Sequence, residues 1–267
     1  MLQSDGSIKL IEQDITGGKI TKETIDTIQE VTSSRLEISG LRQDTFEYLI
    51  GKYGNRFLEI KFWKCPRIED FTPLESLVRL QKLHFYWNQK ADRFWNLAKN
   101  PNLKVLSFNN FVRTTNLSTL GSSTSLEELE FGNSFAGTSH VESLEPIGAI
   151  TTLRELLFNP KKIIDEKAEP LTRLTNLKAL HFSNRLFSTE KVAWLVARLP
   201  PGLESNVLKS FMPLQPGQLA GVDTLIVGKG KPFLDSVKDK DRLAKYVSKF
   251  ETLVTRFQND YSLGEPD

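Results

Sequence analysis

The sequence predicts an α/β solenoid, with a curved parallel β-sheet on its concave side, short helices or turns on its convex side and a capping helix at the carboxyl end. Three observations predict this architecture. A Leu-x-x-Leu-x-Phe pattern recurs along the chain, residues within each copy alternate between apolar and polar, and an amphipathic segment follows the last copy. One unit is too small to bury its own apolar face, so we expect the units to stack on one another.

The copies of the pattern return at a nearly constant interval. Their first residues are 23, 23, 23, 27 and 24 residues apart, which is typical of stacked supersecondary units. A weaker first copy has Leu36 and Ile38 as its apolar residues, and the 27-residue interval contains an inserted segment, 135–143, in which we expect His140 to lie in a surface loop. The regular copies are 57–62, 80–85, 103–108, 126–131, 153–158 and 177–182.

Each copy predicts one strand. Leu83 and Phe85 alternate with Lys82, His84 and Tyr86, and a period of two is typical of a strand whose alternate residues face opposite sides. The chain must cross over between successive strands, so the strands should lie parallel. Four crossover segments carry apolar residues at spacings of three and four, which predicts helices or helical turns on the convex side. These segments are 68–77, 93–98, 144–150 and 190–199.

The amino end of the array is predicted to be capped. Residues 1–32 form this cap, and Thr21 can cap a short helix whose apolar residues include Ile25. The repeats occupy 33–211. They fade at 203–208, where the spacing persists but places Asn206 in an inward position.

The carboxy-terminal cap, 212–267, is predicted to contain a final strand at 222–227 and an amphipathic helix at 240–261. The exposed end of a solenoid needs a cover with one polar face. We therefore assign the helix as a cap rather than as the seam of a coiled-coil dimer, and we expect the free protein to be a monomer. The apolar residues of the helix are Leu243, Tyr246, Val247, Phe250, Leu253, Val254 and Phe257.

The repeat resembles a known family. Leu-x-x-Leu-x-Phe-x-x-Asn at 80–88, recurring every 23 to 27 residues, resembles the leucine-rich repeat, and the likeness covers 33–211. Segments 71–80 and 144–153 resemble the bacterial, internalin-like type, in which a proline-leucine turn precedes the next repeat. Cys65 and Asn88 keep the small polar residue expected at the ninth position. The later turns should be less regular, because that position is held by Phe111, Ser134, Lys161 and Arg185.

Composition and charge exclude several classes of function. With 39% hydrophobic and 25% charged residues, the composition is typical of a folded protein. A formal net charge of +2 creates no overall field, so we predict neither nucleic acid nor membrane as a partner. Cys65 is the single cysteine, which excludes an intrachain disulfide. The first 20 residues lack the apolar run of a secretion signal, and we expect a cytoplasmic protein.

An aromatic patch is predicted on the concave face, where the third, fifth and seventh residues of each copy point away from the core. Neighbouring strands lie about 4.8 Å apart, so Trp63 and Tyr86 should be neighbours, with Trp87 at the strand end beside them. Rigid aromatic side chains supply large contact areas and are enriched at binding hot spots. The alternative is that these rings pack against one another or under a loop.

Glu128, Glu130 and Glu155 form a second cluster on the predicted face. Like charges across a sheet are unfavourable, and a basic partner would relieve that cost. Two alternatives stay open: the carboxylates are solvated or paired with Arg154 or Lys178, or they act as a catalytic pair, although no nucleophile accompanies them. The predicted partner-binding residues are Trp63, Lys82, His84, Tyr86, Trp87, Asn109, Glu128, Glu130, Glu155, Asn159 and His181.

We predict no catalytic residue, no metal site and no cofactor. His84 and His181 share the fifth position but stand four strands apart, about 19 Å, which is too far to share one ion. Cys65 occupies a turn position, where we expect a structural role. The Gly-Lys-Gly-Lys sequence at 228–231 lacks the spacing of a phosphate-binding loop and the helix that should follow, so we interpret it as a turn.

These observations predict a non-enzymatic protein-binding module. The resemblance to leucine-rich repeat proteins implies protein binding in general. The more specific hypothesis is a cytosolic inhibitor or immunity protein that neutralises a toxin by binding a basic surface of that folded protein through the concave face. A scaffold or host-directed effector is an alternative of the same class. A hydrolase that uses the carboxylate cluster is the alternative from another class.

Overall fold

The structure is a computed structural model that describes residues 2–12, 18–132, 140–215 and 217–267. Within these residues, eight strands form a parallel sheet, three form an antiparallel sheet and two form a short parallel pair. In chain order the strands are β1 (Ile8–Leu10), β2 (Arg35–Ile38), β3 (Glu59–Trp63), β4 (Lys82–Asn88), β5 (Val105–Phe111), β6 (Glu128–Phe131), β7 (His140–Val141), β8 (Glu155–Phe158), β9 (Lys162–Ile163), β10 (Ala179–Phe182), β11 (Phe211–Pro213), β12 (Thr224–Ile226) and β13 (Phe233–Leu234).

The main sheet has the order β1-β2-β3-β4-β5-β6-β8-β10, and each neighbouring pair is parallel. Its register pairs the same position of successive repeats, so Leu83 lies between Ile60 and Leu106. All three side chains are buried, as are the other apolar residues at the fourth and sixth positions of the regular repeats. The predicted α/β solenoid is therefore confirmed.

Phenylalanine rings at the sixth position form a stack in the core that Phe111 bridges between Phe85 and Phe108. The ring centroids of Phe62 and Phe85 are 5.1 Å apart, and those of neighbouring rings from β5 to β10 are 5.3 to 5.7 Å apart. Full burial of such a side chain contributes about 1.5–3 kcal/mol, so the stack is a large part of what holds adjacent repeats together. Its members are Phe62, Phe85, Phe108, Phe131, Phe158 and Phe182.

The convex side consists of short helices and single turns of 3₁₀ helix. The helices are α1 (Lys22–Asp26), α2 (Gln43–Tyr53), α3 (Glu145–Gly148), α4 (Thr189–Arg198) and α5 (Lys240–Asn259). The 3₁₀ turns are Thr27–Glu30, Gly54–Arg56, Thr72–Ser76, Leu97–Lys99, Ser118–Ser122 and Glu169–Arg173. Each predicted crossover segment contains one of these elements. Helix α2, which the sequence pattern did not predict, covers the first repeats with its buried Phe46, Leu49 and Ile50.

Side chains at the ninth position bond the turns of the first regular repeats. The Asn88 amide donates to the carbonyl oxygens of Cys65 and Ile68 at 3.1 and 2.9 Å, and its oxygen accepts from the backbone N–H groups of Lys90 and Ala91. The thiol of Cys65 lies 3.8 Å from the carbonyl oxygen of Ile38. Burial raises the pKa of the Cys65 thiol to about 12, so this group stays protonated in its turn.

At the amino end, β1 continues the main sheet beyond the first repeat and pairs with β2 in the same register as the later strands. The hydroxyl of Thr21 accepts from the backbone N–H of Thr24, which confirms it as the N-cap of α1. Ile8 and Ile25 are both fully buried. This segment therefore covers the open end of the solenoid with apolar side chains.

The carboxy-terminal cap contains an antiparallel sheet of described residues in the order β11-β12-β13. The predicted final strand is thus β12, the middle strand of three, and β13 follows it. The predicted amphipathic helix is confirmed as α5, which packs on α4 and buries Phe250 and Phe257. The Arg198 guanidinium donates to the carbonyl oxygen of Phe257 at 2.6 Å and so joins the two helices.

The last repeat differs from the spacing that the sequence predicts. An isolated bridge pairs Ala179 with Glu204, so Glu204 occupies the third position of this repeat. Val207 then occupies the sixth position, and its side chain is buried. This register is one residue earlier than predicted, and Asn206 is only partly buried. The chain enters this segment through Pro200-Pro201-Gly202, whose prolines cannot donate backbone hydrogen bonds, and no regular strand forms.

The inserted segment 135–143 is described only in part, because 135–139 lie outside the described residues. His140, which we expected in a loop, begins β7 and pairs with Lys162 of β9. Of the described part of the chain, no helix combines the length and the apolar character needed to cross a membrane.

Candidate protein-binding surface

The register of the main sheet arranges the third, fifth and seventh residues of the repeats in rows across the concave face. Glu37, Lys61, His84, Ser107 and Glu130 are consecutive partners in the fifth row. Each row crosses strands that lie about 4.8 Å apart, so its side chains are direct neighbours. The surface is therefore determined by residues that the core does not use.

Trp63 and Tyr86 are stacked on this face. Their ring centroids are 4.3 Å apart and their planes differ by 11°, and both side chains are partly exposed. The predicted neighbour relationship is confirmed, and the rings also pack against one another, as the alternative had it. An aromatic pair of this kind contributes about 0.5–1.5 kcal/mol beyond its burial. The stack holds the Trp63 and Tyr86 rings in fixed positions while part of their surface stays open.

Trp87 lies near the carboxyl end of β4, one residue before Asn88. The Lys64 ammonium connects it to the stacked pair, since it lies 5.8 Å from the Trp87 ring centroid and 5.5 Å from that of Trp63. Both distances allow a cation–π interaction. We call Trp63, Tyr86 and Trp87 the aromatic patch.

The backbone at Trp87 is in the left-handed region, with φ of 69°. The same eighth position is left-handed at Gly40, Lys64 and Asn110, with φ of 67°, 53° and 59°. Glycine and asparagine tolerate this conformation, whereas other side chains cost about 1–2 kcal/mol. Trp87 is therefore an unfavourable residue for its backbone, and its ring is not explained by the fold.

Charges in the amino-terminal half of the face are largely compensated. Glu37 lies between Lys9 and Lys61, with N–O distances of 3.7 and 3.6 Å. The Lys61 ammonium also lies 5.4 Å from the Trp63 ring centroid. These exposed pairs contribute little to stability, but they leave no strong net field beside the aromatic patch.

His84 occupies the middle of the face, between a recess of about 350 Å³ beside Trp63 and Tyr86 and one of about 310 Å³ beside Glu128 and Glu155. Burial lowers the pKa of His84, although the neighbouring Glu59 and Glu130 oppose that effect. The imidazole is therefore neutral at pH 7. It adds no positive charge to the acidic side of the sheet.

Glu130 is held by its neighbours. The Asn109 amide donates to its carboxylate at 2.9 Å, and the Ser107 hydroxyl lies 3.4 Å away. Two predicted contact residues, Asn109 and Glu130, thus bond one another across β5 and β6. This arrangement fixes the carboxylate at the centre of the concave face.

A row of carboxylates without partners lies in the third position. Glu128 and Glu155 are direct partners across β6 and β8, and Glu204 follows them, with Ala179 between. No ion pair or side-chain hydrogen bond joins these three carboxylates to any residue that the structure describes. Arg154, the partner considered above, pairs instead with Glu127 at 3.5 Å. We call Glu128, Glu155 and Glu204 the acidic row.

The remaining predicted contact residues are more dispersed. Lys82 is exposed at the third position of its repeat, where β4 begins. His181 lines the recess beside the acidic row. Asn159 holds the seventh position of its repeat, in the turn that follows β8, and Gly132 holds the same position in the preceding repeat. Gly132 has φ of 84°, and a Cβ there would be 2.6 Å from the Pro160 nitrogen, so only glycine fits. The seventh row therefore has no side chain at this position.

Glu204 was not predicted as a member of the acidic row. The pattern at 203–208 gave a register one residue too late, which placed Glu204 outside the third position. The Pro-Pro-Gly sequence before it was the available signal that regular spacing ends there.

Among the described residues, no group of three or more His, Cys, Asp and Glu side chains could hold a metal ion.

Parallel strands, a fixed repeat and a buried apolar ladder together decide the architecture. The chain folds as a leucine-rich repeat solenoid. No protein-family model matches it, and no curated protein matches it either.

Similar solved structures are leucine-rich repeat proteins. Internalin C2 from Listeria monocytogenes is 23% identical, with 62% of this chain and 70% of that chain covered and a TM-score of 0.46. The internalin InlF from Listeria monocytogenes is 17% identical, with 69% and 56% covered and a TM-score of 0.46. The leucine-rich repeat domain of the type III effector XopL is 16% identical, with 76% and 77% covered and a TM-score of 0.44.

Proposed function

We propose that this protein binds a folded protein with a basic surface through its concave sheet. The observation that carries the proposal is the acidic row, three carboxylates without partners among the described residues, on the same sheet as a stacked and partly open aromatic pair. Direct juxtaposition of Glu128 and Glu155 costs the free protein stability. A cationic partner removes that cost.

The two parts of the surface contribute to binding in different ways. Aromatic side chains such as Trp63 supply the buried area of a hot spot, and their rings lose little entropy because they are already stacked. The carboxylates contribute long-range attraction, which raises the association rate and selects a basic partner. Trp63 on β3 and Glu155 on β8 are four strands apart, about 19 Å, a span that a folded domain covers.

The more specific proposal is an inhibitor, in particular an immunity protein that acts in the cytoplasm by covering the active surface of a toxin. A solenoid sheet of this breadth can occlude a site without chemistry of its own. A scaffold or host-directed effector would use the same surface. The two differ in what binding does, because an inhibitor abolishes the activity of its partner and a scaffold leaves that activity intact.

The first experiment is affinity capture with the full chain, followed by mass spectrometry. A Glu128→Lys/Glu155→Lys variant serves as the matched bait, because it reverses two charges of the acidic row without touching the core. We expect one basic protein to be enriched by the natural chain and depleted with the variant. An equal yield from both baits would contradict the proposal.

The second experiment separates inhibition from scaffolding and from catalysis. The captured partner is purified and assayed with increasing amounts of the natural chain. An inhibitor reduces the partner's activity to zero at an equimolar ratio. Catalysis by the carboxylate cluster would instead act at substoichiometric amounts and be lost in Glu130→Gln, and that result would exclude the binding proposal.

A further inference from the structure

A cleft of about 760 Å³ lies between the turns that follow β6, β8 and β10 and the antiparallel sheet of the carboxy-terminal cap. We call it the cap cleft. Its volume is within the range of pockets that hold small molecules. The Gly-Lys-Gly-Lys turn at 228–231 forms part of its wall, as do residues from the ends of three repeats.

Three cations line the cap cleft without forming an ion pair to any described residue. Lys161, Arg185 and Lys231 come from three separate turns. Lys231 is partly buried. Glu190 interacts electrostatically with Lys231 but forms its ion pair with Lys249, at 3.2 Å.

Their neighbours in sequence behave differently. Lys162 and Lys229 both pair with Glu166, at 3.8 and 3.9 Å, and neither lines the cleft. The lysines beside the cleft are therefore ion-paired, whereas the three cations that line it form no ion pair within the described residues. Residues 133–139, which follow Gly132 at the cleft wall, contain no acidic residue that could supply the missing anion.

Part of the remaining wall of the cleft is apolar. Met212 and Leu225 are partly buried there, and the Phe233 side chain is 42% exposed. An exposed aromatic ring beside uncompensated cations fits a ligand that carries both an anionic group and an apolar body. Each feature alone is common on protein surfaces, but their convergence in one concave site is typical of a ligand pocket.

We propose that the cap cleft binds a small organic anion, a carboxylate or phosphate attached to an apolar or aromatic body. Arg185 and Lys231 hold the anionic group, Lys161 adds to the local positive charge, and Phe233 contacts the apolar body. This site is separate from the concave-face proposal and does not depend on it. The turn at 228–231 thereby acquires a role in binding without being a nucleotide-binding loop.

Naphthyl phosphate is a suitable probe, with inorganic phosphate and the uncharged naphthyl methanol as its two halves. Isothermal titration calorimetry with the full chain should give millimolar or tighter binding of naphthyl phosphate and weaker binding of either half. Lys231→Gln and Arg185→Gln should each weaken it about ten-fold, the loss expected for one charge-assisted hydrogen bond. Phe233→Ala should weaken the binding of naphthyl phosphate and leave the binding of inorganic phosphate unchanged.

Lys162→Gln and Lys229→Gln are matched controls, since they remove charges that lie outside the cleft. Thermal unfolding of every variant confirms that each one is folded. The proposal is overturned if naphthyl phosphate does not bind at millimolar concentration, if naphthyl methanol binds equally well, or if the control variants weaken binding as much as Lys231→Gln.

Discussion

The carboxy-terminal cap and the concave sheet use charged side chains in opposite ways. Where the cap meets α4, Lys191 and Glu265 pair at 3.3 Å with side chains only 10% and 13% exposed. Glu265 also accepts from the backbone N–H groups of Ala168 and Glu169 at 2.7 and 2.9 Å. On the sheet, Glu128 and Glu155 face one another without such partners among the described residues.

The difference indicates that stability and binding reside in separate residues. A buried charge that loses its partner destabilises the folded state strongly. An exposed carboxylate in a like-charged row does the reverse, because its removal relieves repulsion. Substitution of Glu265 should therefore mainly affect folding, and substitutions of the aromatic patch or the acidic row should mainly affect binding of the partner protein.

The largest effect is expected for Glu265→Ala. It leaves Lys191 buried without its counter-ion and removes the acceptor for two N–H groups, so we expect the free energy of unfolding to fall by about 3 kcal/mol. Urea denaturation measures this. Asp267→Asn, at the exposed end of the chain, is the control and should change nothing. Folded Glu265→Ala protein should bind the captured partner normally, and a selective loss of affinity would break the comparison.

The next effect is expected for Trp63→Ala, measured as affinity for the captured partner. Loss of a central aromatic contact should cost about 2 kcal/mol, or roughly thirty-fold in the dissociation constant. The change in unfolding free energy should be smaller, because the ring is only half-buried. Val78→Ala is the matched control, since Val78 is an apolar residue 50% exposed in the turn before β4. Equal losses of affinity in both variants would contradict a localised hot spot.

Glu155→Lys should separate the two properties most directly. Reversal of one charge in the acidic row should weaken partner binding about five-fold, mainly through slower association, and this loss should diminish at high salt. The same substitution places a lysine opposite Glu128 and should raise the unfolding free energy by a few tenths of a kcal/mol. Stopped-flow kinetics and urea denaturation measure the two effects. Glu251→Lys, an exposed reversal on α5, should show neither of them.

Much of the fold could be predicted from the sequence because the repeat is local and periodic. The residues at 80–88 contain a whole strand and its turn asparagine, so the register of β3, β4 and β5 follows from spacing alone. The stacking of Trp63 on Tyr86 was predictable for the same reason. Long-range features lacked such a signal. The docking of Glu265 onto Ala168 and Glu169 joins residues nearly a hundred positions apart, and no periodicity encodes it.

The candidate sites show the same limit. Glu128, Glu130 and Glu155 could be placed together because they belong to regular copies. Glu204 could not be, because its register depends on how the chain leaves the Pro-Pro-Gly turn. The cap cleft requires the position of the antiparallel sheet relative to the repeats, which only tertiary packing determines.

A smaller effect is expected for Trp87→Asn. Asparagine tolerates the left-handed backbone at this position, so relief of about 1 kcal/mol should offset the burial that the indole loses. We expect the urea midpoint to stay unchanged or rise, while affinity for the partner falls by less than in Trp63→Ala. A lowered midpoint with normal affinity would assign Trp87 to the fold and remove it from the aromatic patch.

The smallest effect is expected at Asp26, which tests whether exposed charges at the amino-terminal end also serve the fold. Hydrogen bonds from Lys52, Tyr48 and Tyr53, at 2.7 to 2.8 Å, lower the pKa of this carboxyl from 3.8 to about 2. Because the folded state binds the proton less tightly than the unfolded state does, the carboxylate's contribution is complete above pH 3.8 and is lost as the pH falls through about 2.

Asp26→Asn cannot ionise, so its unfolding free energy should lie slightly below that of the natural chain at neutral pH. The difference between the two proteins should then shrink as the pH falls from 3.8 towards 2. Urea denaturation across this pH range measures it, with the exposed Asp92→Asn, whose carboxylate has no hydrogen bond to a described residue, as the control. A difference that stays constant with pH would show that folding does not lower the pKa of the Asp26 carboxyl. In that case, the charge of Asp26 would not stabilise the fold, and the contrast with the buried Lys191–Glu265 pair would be sharper.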